Sequence, residues 1–347
     1  MHTPRLARRT LLAAALVVGA GGAVGASAAA GSDDDAPDDA TGTLTIYSGR
    51  GEDLVGPIIE QFEQTSGIDV EVRYGNSAEM LLLIQEEGDN SPADVYYSQG
   101  AGFLGVLSDE GGLMELPTEL VDTVPEGLRS PAGDWVGLSG RARVLAYNTD
   151  ELSEADLPAS IMDLADPEWA GRIGWAPTNA SLQDFVTALR SIVGDDEAQA
   201  WVEAMADNAV PFEGNTAIIE AIAAGDVEVG LVNHYYLYRY LAEDPDFPVA
   251  NHFFEPGDPG TLVNIAGAGV LATSDQPDAA IELLTFLLSS DAQTYFAEET
   301  YEIPVVDGVE TASELPTIDS LSLPDFDLNL LADLQGTVDL MTDAGAL

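Results

Sequence analysis

The stretch Val227-Glu228-Val229-Gly230-Leu231-Val232-Asn233-His234-Tyr235-Tyr236-Leu237-Tyr238-Arg239-Tyr240 runs an apolar segment straight into an aromatic one. Residues 227–232 read as a short strand, and Asn233 is a residue type that caps a helix. A strand feeding directly into a helix is the grammar of α/β proteins, and in open α/β sheets ligands gather at the carboxyl ends of strands. Tyr235 and Tyr236 fall at that edge. The partial positive charge of a helix N-terminus favours phenolate over phenol, and phenolate is a hard oxygen donor to ferric iron. The competing reading is a plain aromatic face, because Tyr236 and Tyr240 are four residues apart and pack together on a helix. Arg239 is spaced to steady either a ring face or a phenolate.

Outward from this stretch the pattern alternates in the same way. Strands are expected at 43–48, 68–74, 93–98 and 172–176, with long extended runs at 136–148 and 262–273. Leu54, Val55, Ile58, Ile59 and Phe62 recur at helical spacing, as do Phe185, Ala188, Leu189 and Ile192. Asn76 followed by Glu79 has the spacing of a capping box. Further helices are expected at 103–107, 195–207, 216–224 and 277–288, the last with proline in its first turn. The expectation is an α/β fold with mostly parallel sheets. The length beyond residue 28 suits two domains rather than one, and no internal repeat is present.

Composition narrows the chemistry. There is no cysteine, which removes disulfides, thiolate metal sites, thiol nucleophiles and a lipid-anchored cysteine. All eleven basic residues are arginine, set against 61 acids for a formal charge of −50. With 46% hydrophobic residues and a mean hydropathy of +0.06, the chain is far too apolar for a disordered acidic polymer. A folded protein with a carboxylate coat fits both facts. Such a coat repels itself little at high salt, so a halophilic or salt-tolerant setting is expected. Nucleic acid is excluded as a partner, since no basic patch exists to meet phosphates. Residues 1–28 read as an export signal: Arg5, Arg8 and Arg9 precede an apolar run, and Ala26-Ser27-Ala28 offers a cleavage site. The pair Arg8-Arg9 followed by Thr10-Leu11-Leu12 is of the kind read by the twin-arginine route. Residues 29–42 form an acidic linker. An exported protein of the periplasm or outer cell surface is expected, and a monomer.

Catalytic constellations are poorly represented. Gly137-Leu138-Ser139-Gly140 brings its second glycine one residue too early for a nucleophile elbow. Beyond the signal only His234 and His252 remain, eighteen residues apart, so zinc and serine–histidine chemistry are both disfavoured. No dinucleotide or P-loop fingerprint occurs. The protein is expected not to be an enzyme.

The chain resembles the periplasmic ferric-ion-binding proteins of bacterial ABC importers. The stretches that carry the resemblance are Ile46-Tyr47-Ser48-Gly49-Arg50, Ser91-Pro92-Ala93-Asp94-Val95-Tyr96-Tyr97-Ser98, Trp135-Val136-Gly137-Leu138-Ser139-Gly140-Arg141-Ala142-Arg143, Arg172-Ile173-Gly174-Trp175-Ala176-Pro177-Thr178 and Asn233-His234-Tyr235-Tyr236. They follow the family's order over residues 43–310. The resemblance implies a two-lobed type II periplasmic-binding-protein clamp, with a central sheet in each lobe and crossing hinge strands. It places 43–141 and 266–310 in lobe 1, and 142–265 and 311–347 in lobe 2. It implies that Tyr235 and Tyr236 bind Fe(III) and that a synergistic anion, carbonate or phosphate, completes the shell. The anion pocket would comprise Arg141, Thr178, Asn179, Ser181 and Asn215, beside Ala180 in the same turn. A hydroxyl-rich turn opening a helix suits an oxyanion, and equally suits an ordinary cap. The partners implied are the membrane permease and ATPase subunits of an importer.

The chain departs from the family at two positions. The lobe 1 histidine of well-studied members falls at Gly51, and their lobe 1 carboxylate falls at Gln99. Either Glu52 substitutes, or lobe 1 supplies no charged ligand and water or the anion fills the shell. A polyamine, an organophosphate or iron already chelated are alternative cargoes for the same clamp, and a sensory binding protein is an alternative role.

Overall fold

The computed structural model describes residues 42–309, 315–321 and 327–347. The expected export signal at 1–28 and all but the last residue of the linker at 29–42 lie outside the described residues. In chain order the elements are β1 (Leu44–Ser48), α1 (Glu52–Ser66), β2 (Val70–Tyr74), α2 (Ser77–Glu87), β3 (Val95–Ser98), α3 (Ala101–Asp109), α4 (Thr118–Val121) and β4 (Trp135–Asn148). There follow β5 (Ile173–Trp175), α5 (Ala180–Val193), α6 (Asp195–Asn208), β6 (Ala209–Pro211), α7 (Asn215–Ala224), β7 (Val229–Asn233), α8 (Tyr235–Glu243) and β8 (Val249–His252). The chain then forms β9 (Val263–Val270), α9 (Pro277–Leu287), α10 (Ser290–Glu298), α11 (Ile318–Leu321) and α12 (Leu334–Asp343). Among the described residues no helix is long and apolar enough to cross a membrane.

Local signals form as the residue types dictate. The Asn76 side chain accepts from the Glu79 N–H while the Glu79 carboxylate accepts from the Asn76 N–H, so α2 starts on a complete capping box. Helix α1 buries Val55, Ile58, Ile59 and Phe62 on one face and stops at Gly67, whose φ of 75° suits the left-handed residue of a helix end. Pro277 opens α9, where its missing N–H leaves no bond unmade.

The strands are ordered β2-β1-β3-β9-β4-β7-β5-β6, with β8 also paired to β4. The expectation of mostly parallel strands holds only at the two ends. There β1 pairs in parallel with β2 and β3, and β5 with β6 and β7. In the middle, β9 runs antiparallel to β3 and to β4, and β4 runs antiparallel to β7 and β8. Strand β4 causes the difference. Its fourteen residues pair with β9 over Trp135–Ala142 and with β7 over Arg143–Tyr147, so one long strand belongs to both halves. This gives the two-lobed α/β clamp, its halves joined by crossing strands.

Both faces of the central strands are covered, which explains their continuous apolar runs. Leu145 and Tyr147 of β4 join the larger core with Phe185, Leu189 and Trp201, while Val144 and Ala146 join a second core with Ile218, Ile219, Ile222 and Leu237. The second core seats α7 closely on β7: a Cβ at Gly230 would lie 2.3 Å from Ile218 Cγ2 and 3.1 Å from Ile222 Cδ1. Gly230→Ala is therefore expected to lower stability by about 1–3 kcal/mol, the usual cost of overpacking. Urea unfolding checks this, and an unchanged midpoint would show that the helix yields freely.

Candidate metal centre

Strand β7 ends at Asn233 beside Arg143 of β4, and α8 begins two residues later. His234 is already in helical conformation (φ −55°, ψ −39°) and no side chain caps the helix. The expectation that Asn233 caps α8 is thus not met: Asn233 closes the strand, and the helix N–H groups stay free. Tyr235 and Tyr236 occupy this uncapped first turn with their rings stacked, centroids 4.5 Å apart and planes 25° from parallel. Tyr235 is buried and Tyr236 half-buried. The Arg239 guanidinium sits 5.7 Å from one ring centre and 5.9 Å from the other, a cation–π contact to both. Burial, reinforced by Tyr236, pushes the Tyr235 phenol up to about 12, against the pull of Arg141 and Arg50. Tyr235 is therefore a neutral phenol at neutral pH until a cation displaces its proton.

His234 is fully buried and holds the turn in place. Its Nδ1 accepts from the Ala142 N–H at 3.2 Å, so Nε2 carries the proton and donates to the Tyr301 carbonyl at 2.8 Å. The residue preceding the tyrosines is thus bonded to the crossing strand and to the segment after α10. Tyr301 has φ 57°, the one non-glycine with positive φ among the described residues, and its ring stacks on Tyr238 at 5.7 Å. Tyr240 instead stacks on Phe247 and donates to Glu220. Tyr238 and Tyr240 thus each stack on another aromatic ring.

A cluster of buried arginines faces the pair. Side chains two apart on a strand share a face, which brings Ser139, Arg141 and Arg143 of β4 to one side. Arg143 donates to the Ser181 carbonyl at 2.5 Å and to its hydroxyl at 3.0 Å. Arg141 donates to the carbonyls of Gln99 and, at 3.1 Å, Ile265. Arg50, just past β1, donates to both oxygens of Glu302 at 2.8 Å, and Ser139 and Thr300 hydroxyls also reach Glu302. Burial lowers the pKa of Arg141, and that of Arg143 to about 10. At about 10, Arg143 stays charged at neutral pH.

Between the starts of α2, α3 and α5 lies a cavity of about 240 Å³, lined on one side by Asn76, Ser77 and Gln99 and on the other by Ser181 and Asp184, with Arg141 beside them. The helix N–H groups that open onto it have no intrahelical acceptor. A Cβ at Gly49 would come within 2.1 Å of Ser77 Oγ, so this wall closes only with glycine there.

Of the expected site residues, Gln99, Arg141 and Ser181 line this cavity, and Tyr235 and Tyr236 are not among its lining residues. Asn179 caps α5 by accepting from the Ser181 N–H at 3.0 Å and hydroxyl at 2.6 Å, so the turn is both an ordinary cap and a cavity wall. Gln99 lines the cavity, whereas Asn215 accepts from the Asn233 N–H and keeps a buried Nδ2 without a partner. Thr178 is exposed, and nothing in the structure assigns it a contact with the cavity. Glu52 is also exposed, in the first turn of α1, its Cγ beside Gly56 and its charge beside Tyr74 rather than at the cavity. Among the described residues no group of three or more histidines or carboxylates is arranged to hold a metal.

Sequence reasoning missed four residues as members of the site: Arg50, Arg143, Asp184 and Glu302. Arg143 was findable from its two-residue spacing to Arg141, and Asp184 from standing one helical turn beyond Ser181. Glu302 gave no signal, being one acid among 61.

A family model described as bacterial extracellular solute-binding protein matches residues 90–328. The major ferric iron-binding protein of Neisseria meningitidis is 31% identical over 314 residues, covering 89% of this chain and 95% of that protein. The iron-bound structure of HitA from Pseudomonas aeruginosa matches with a TM-score of 0.81 and 33% identity, over 87% of this chain and 99% of that one. A Trichodesmium IdiA (FutA) structure in complex with iron and citrate ligands matches with a TM-score of 0.78 and 31% identity, over 88% and 100%.

Burial holds His234 neutral, its pKa lowered to about 4 from 6.5. The unfolded chain takes up a proton that the folded chain refuses, so stability is expected to fall as pH drops from 6.5 towards 4, by on the order of 3 kcal/mol for this group. Asp184, raised to about 6 mainly by burial, acts oppositely: its contribution is lost as pH rises through that value. The difference between wild type and His234→Gln isolates the histidine, and parallel pH profiles in urea unfolding would refute its role.

Proposed function

The chain belongs to the bacterial extracellular solute-binding protein family, and from that premise we propose that it captures ferric iron outside the cytoplasm and delivers it to an ABC importer. The observation that carries this reading is the stacked pair Tyr235–Tyr236 on an uncapped helix start, faced by buried arginines. Two phenolates supply hard anionic oxygens to a hard trivalent cation. The helix N-terminus and the nearby guanidiniums favour the ionised form that the metal requires.

Tyr235 and Tyr236 are the iron ligands in this reading. Residues 43–141 with 266–310, and 142–265 with 311–347, are the two lobes that close on the cargo. The cavity between the starts of α2 and α5 takes an oxyanion that completes the shell, held by Arg141, Ser181 and Asn179, with Asn215 behind the tyrosine strand. Phosphate, and carbonate taken up as hydrogen carbonate, fit its donors. Iron already chelated by a larger carboxylate is a second reading, favoured by the size of the cavity and by neutral Gln99 at its wall. The permease and ATPase are the partners, and the carboxylate coat suits a salt-rich exterior.

Titrating the metal-free protein with ferric citrate is expected to raise a visible tyrosinate-to-iron band, and the double substitution Tyr235→Phe, Tyr236→Phe to abolish it. A wild type that stays colourless across pH and salt would overturn the reading. Glu52 points away from the cavity, so Glu52→Gln is expected to leave iron affinity within about twofold, the scale of a small, screened surface charge effect. A tenfold loss, measured by chelator competition, would make Glu52 the missing lobe 1 ligand.

A further inference from the structure

Asp184 stands out among the residues lining the cavity as the one charged acceptor, beside the neutral amides of Asn76 and Gln99. Arg141 brings a guanidinium and Ser77 a hydroxyl, while the caps at Asn76 and Asn179 take up the Glu79 and Ser181 N–H groups and leave those of Ser77, Ala78 and Ala180 at the cavity wall. Asp184 alone brings a charged acceptor, on the inward face of α5 and about nine-tenths buried. Among the described residues no arginine forms a direct ion pair with it, although Arg141 and Arg143 act on it through space. Its partner is neutral: Asn264 Nδ2 donates to Oδ2 at 2.7 Å. No described residue donates to Oδ1. Across the cleft, Gly100 has no side chain to cover the carboxylate, and a Cβ there would come within 3.1 Å of Oδ2.

A buried acceptor in a pocket of donors discriminates between anions by their protons. An oxyanion that still bears an O–H satisfies the donors with its bare oxygens and the carboxylate with its hydroxyl. One without a proton brings an oxygen lone pair against a carboxylate, which costs both repulsion and an unmade hydrogen bond. We propose that Asp184 makes the cavity selective for oxyanions that carry a hydroxyl, such as hydrogen phosphate, hydrogen carbonate or a hydroxycarboxylate, and excludes fully deprotonated ones such as sulfate. This rests on the reading that the cavity holds the anion accompanying iron. Burial raises the Asp184 pKa to about 6, opposed by Arg141, the Asn264 hydrogen bond and Arg143, so at neutral pH and above the group is ionised and can only accept.

The test is calorimetric titration of the metal-free protein at slightly alkaline pH and fixed ionic strength with inorganic phosphate and with sulfate. Wild type is expected to bind phosphate at least about tenfold more tightly than sulfate, and Asp184→Asn to narrow the gap to within about twofold, chiefly by improving sulfate. The proposal is overturned if wild type binds both anions alike or neither, or if a folded Asp184→Asn keeps the full preference. The wild-type comparison stands by itself should that variant not fold, and Asp184→Ser offers a second acceptor-weakened form. In Tyr235→Phe the anion preference is expected to persist. Selective phosphate binding by a wild type that shows no iron band would therefore sink the iron reading and leave the selectivity intact, while a band without selectivity would do the reverse.

Discussion

Arg50 and Glu302 form an ion pair with side chains only 1% exposed, in a protein whose formal charge is −50. Removing either partner of such a pair leaves a bare charge in the interior, at a cost on the order of 3–5 kcal/mol. The pair ties the end of β1 to the segment that follows α10, and Ser139 on the crossing strand adds a hydrogen bond to the same carboxylate. One residue away, the Tyr301 carbonyl receives the His234 proton, and Gly140 and Ile303 exchange backbone bonds. Strand, hinge segment and tyrosine helix thus share one buried polar network. The positive φ of Tyr301 persists because that network and the ring stack on Tyr238 hold it from both sides.

The charge distribution of the molecule is inverted at this point. Among the described residues the buried carboxylates are Asp94, Asp134, Asp184 and Glu302, against the buried guanidiniums Arg50, Arg141 and Arg143. Asp94 and Asp134 are engaged elsewhere by serine hydroxyls and backbone. The cleft is left with three buried cations against two carboxylates, and Arg239, itself exposed, lies over the phenol rings. In the proposed reading, two phenolates and an oxyanion would neutralise this positive lining. The acidic exterior faces solvent while the buried guanidiniums gather in the cleft.

Much of this was legible in the chain. The alternating pattern located seven of the nine described strands and the longer helices up to α9, but not β6, β8, α4 or the helices α10 to α12. The capping box at Asn76 formed as spaced, and the apolar run ending in Asn233 led into the tyrosine helix. The antiparallel centre was not legible, because periodicity reports burial and not pairing direction, and β4 is buried along its whole length. Nor was the missing Asn233 cap, because His234 enters helical geometry one residue early, held by bonds to Ala142 and Tyr301 that are 92 and 67 residues away.

The sequence by itself determined that the fold is α/β, that the chain carries no cysteine and no clustered histidines, and that two adjacent tyrosines stand just past the carboxyl end of a strand. These follow from residue type and short spacing, which local physics reads directly. Only the tertiary structure decided which of the many acids enter the interior, that Arg50 and Arg143 join Arg141 there, that Glu52 turns away while Asp184 turns in, and that the cavity is walled by neutral Gln99. Those choices depend on long-range pairing of β1, β4 and β9, and a charge shows where it will be desolvated only once the strands around it have closed.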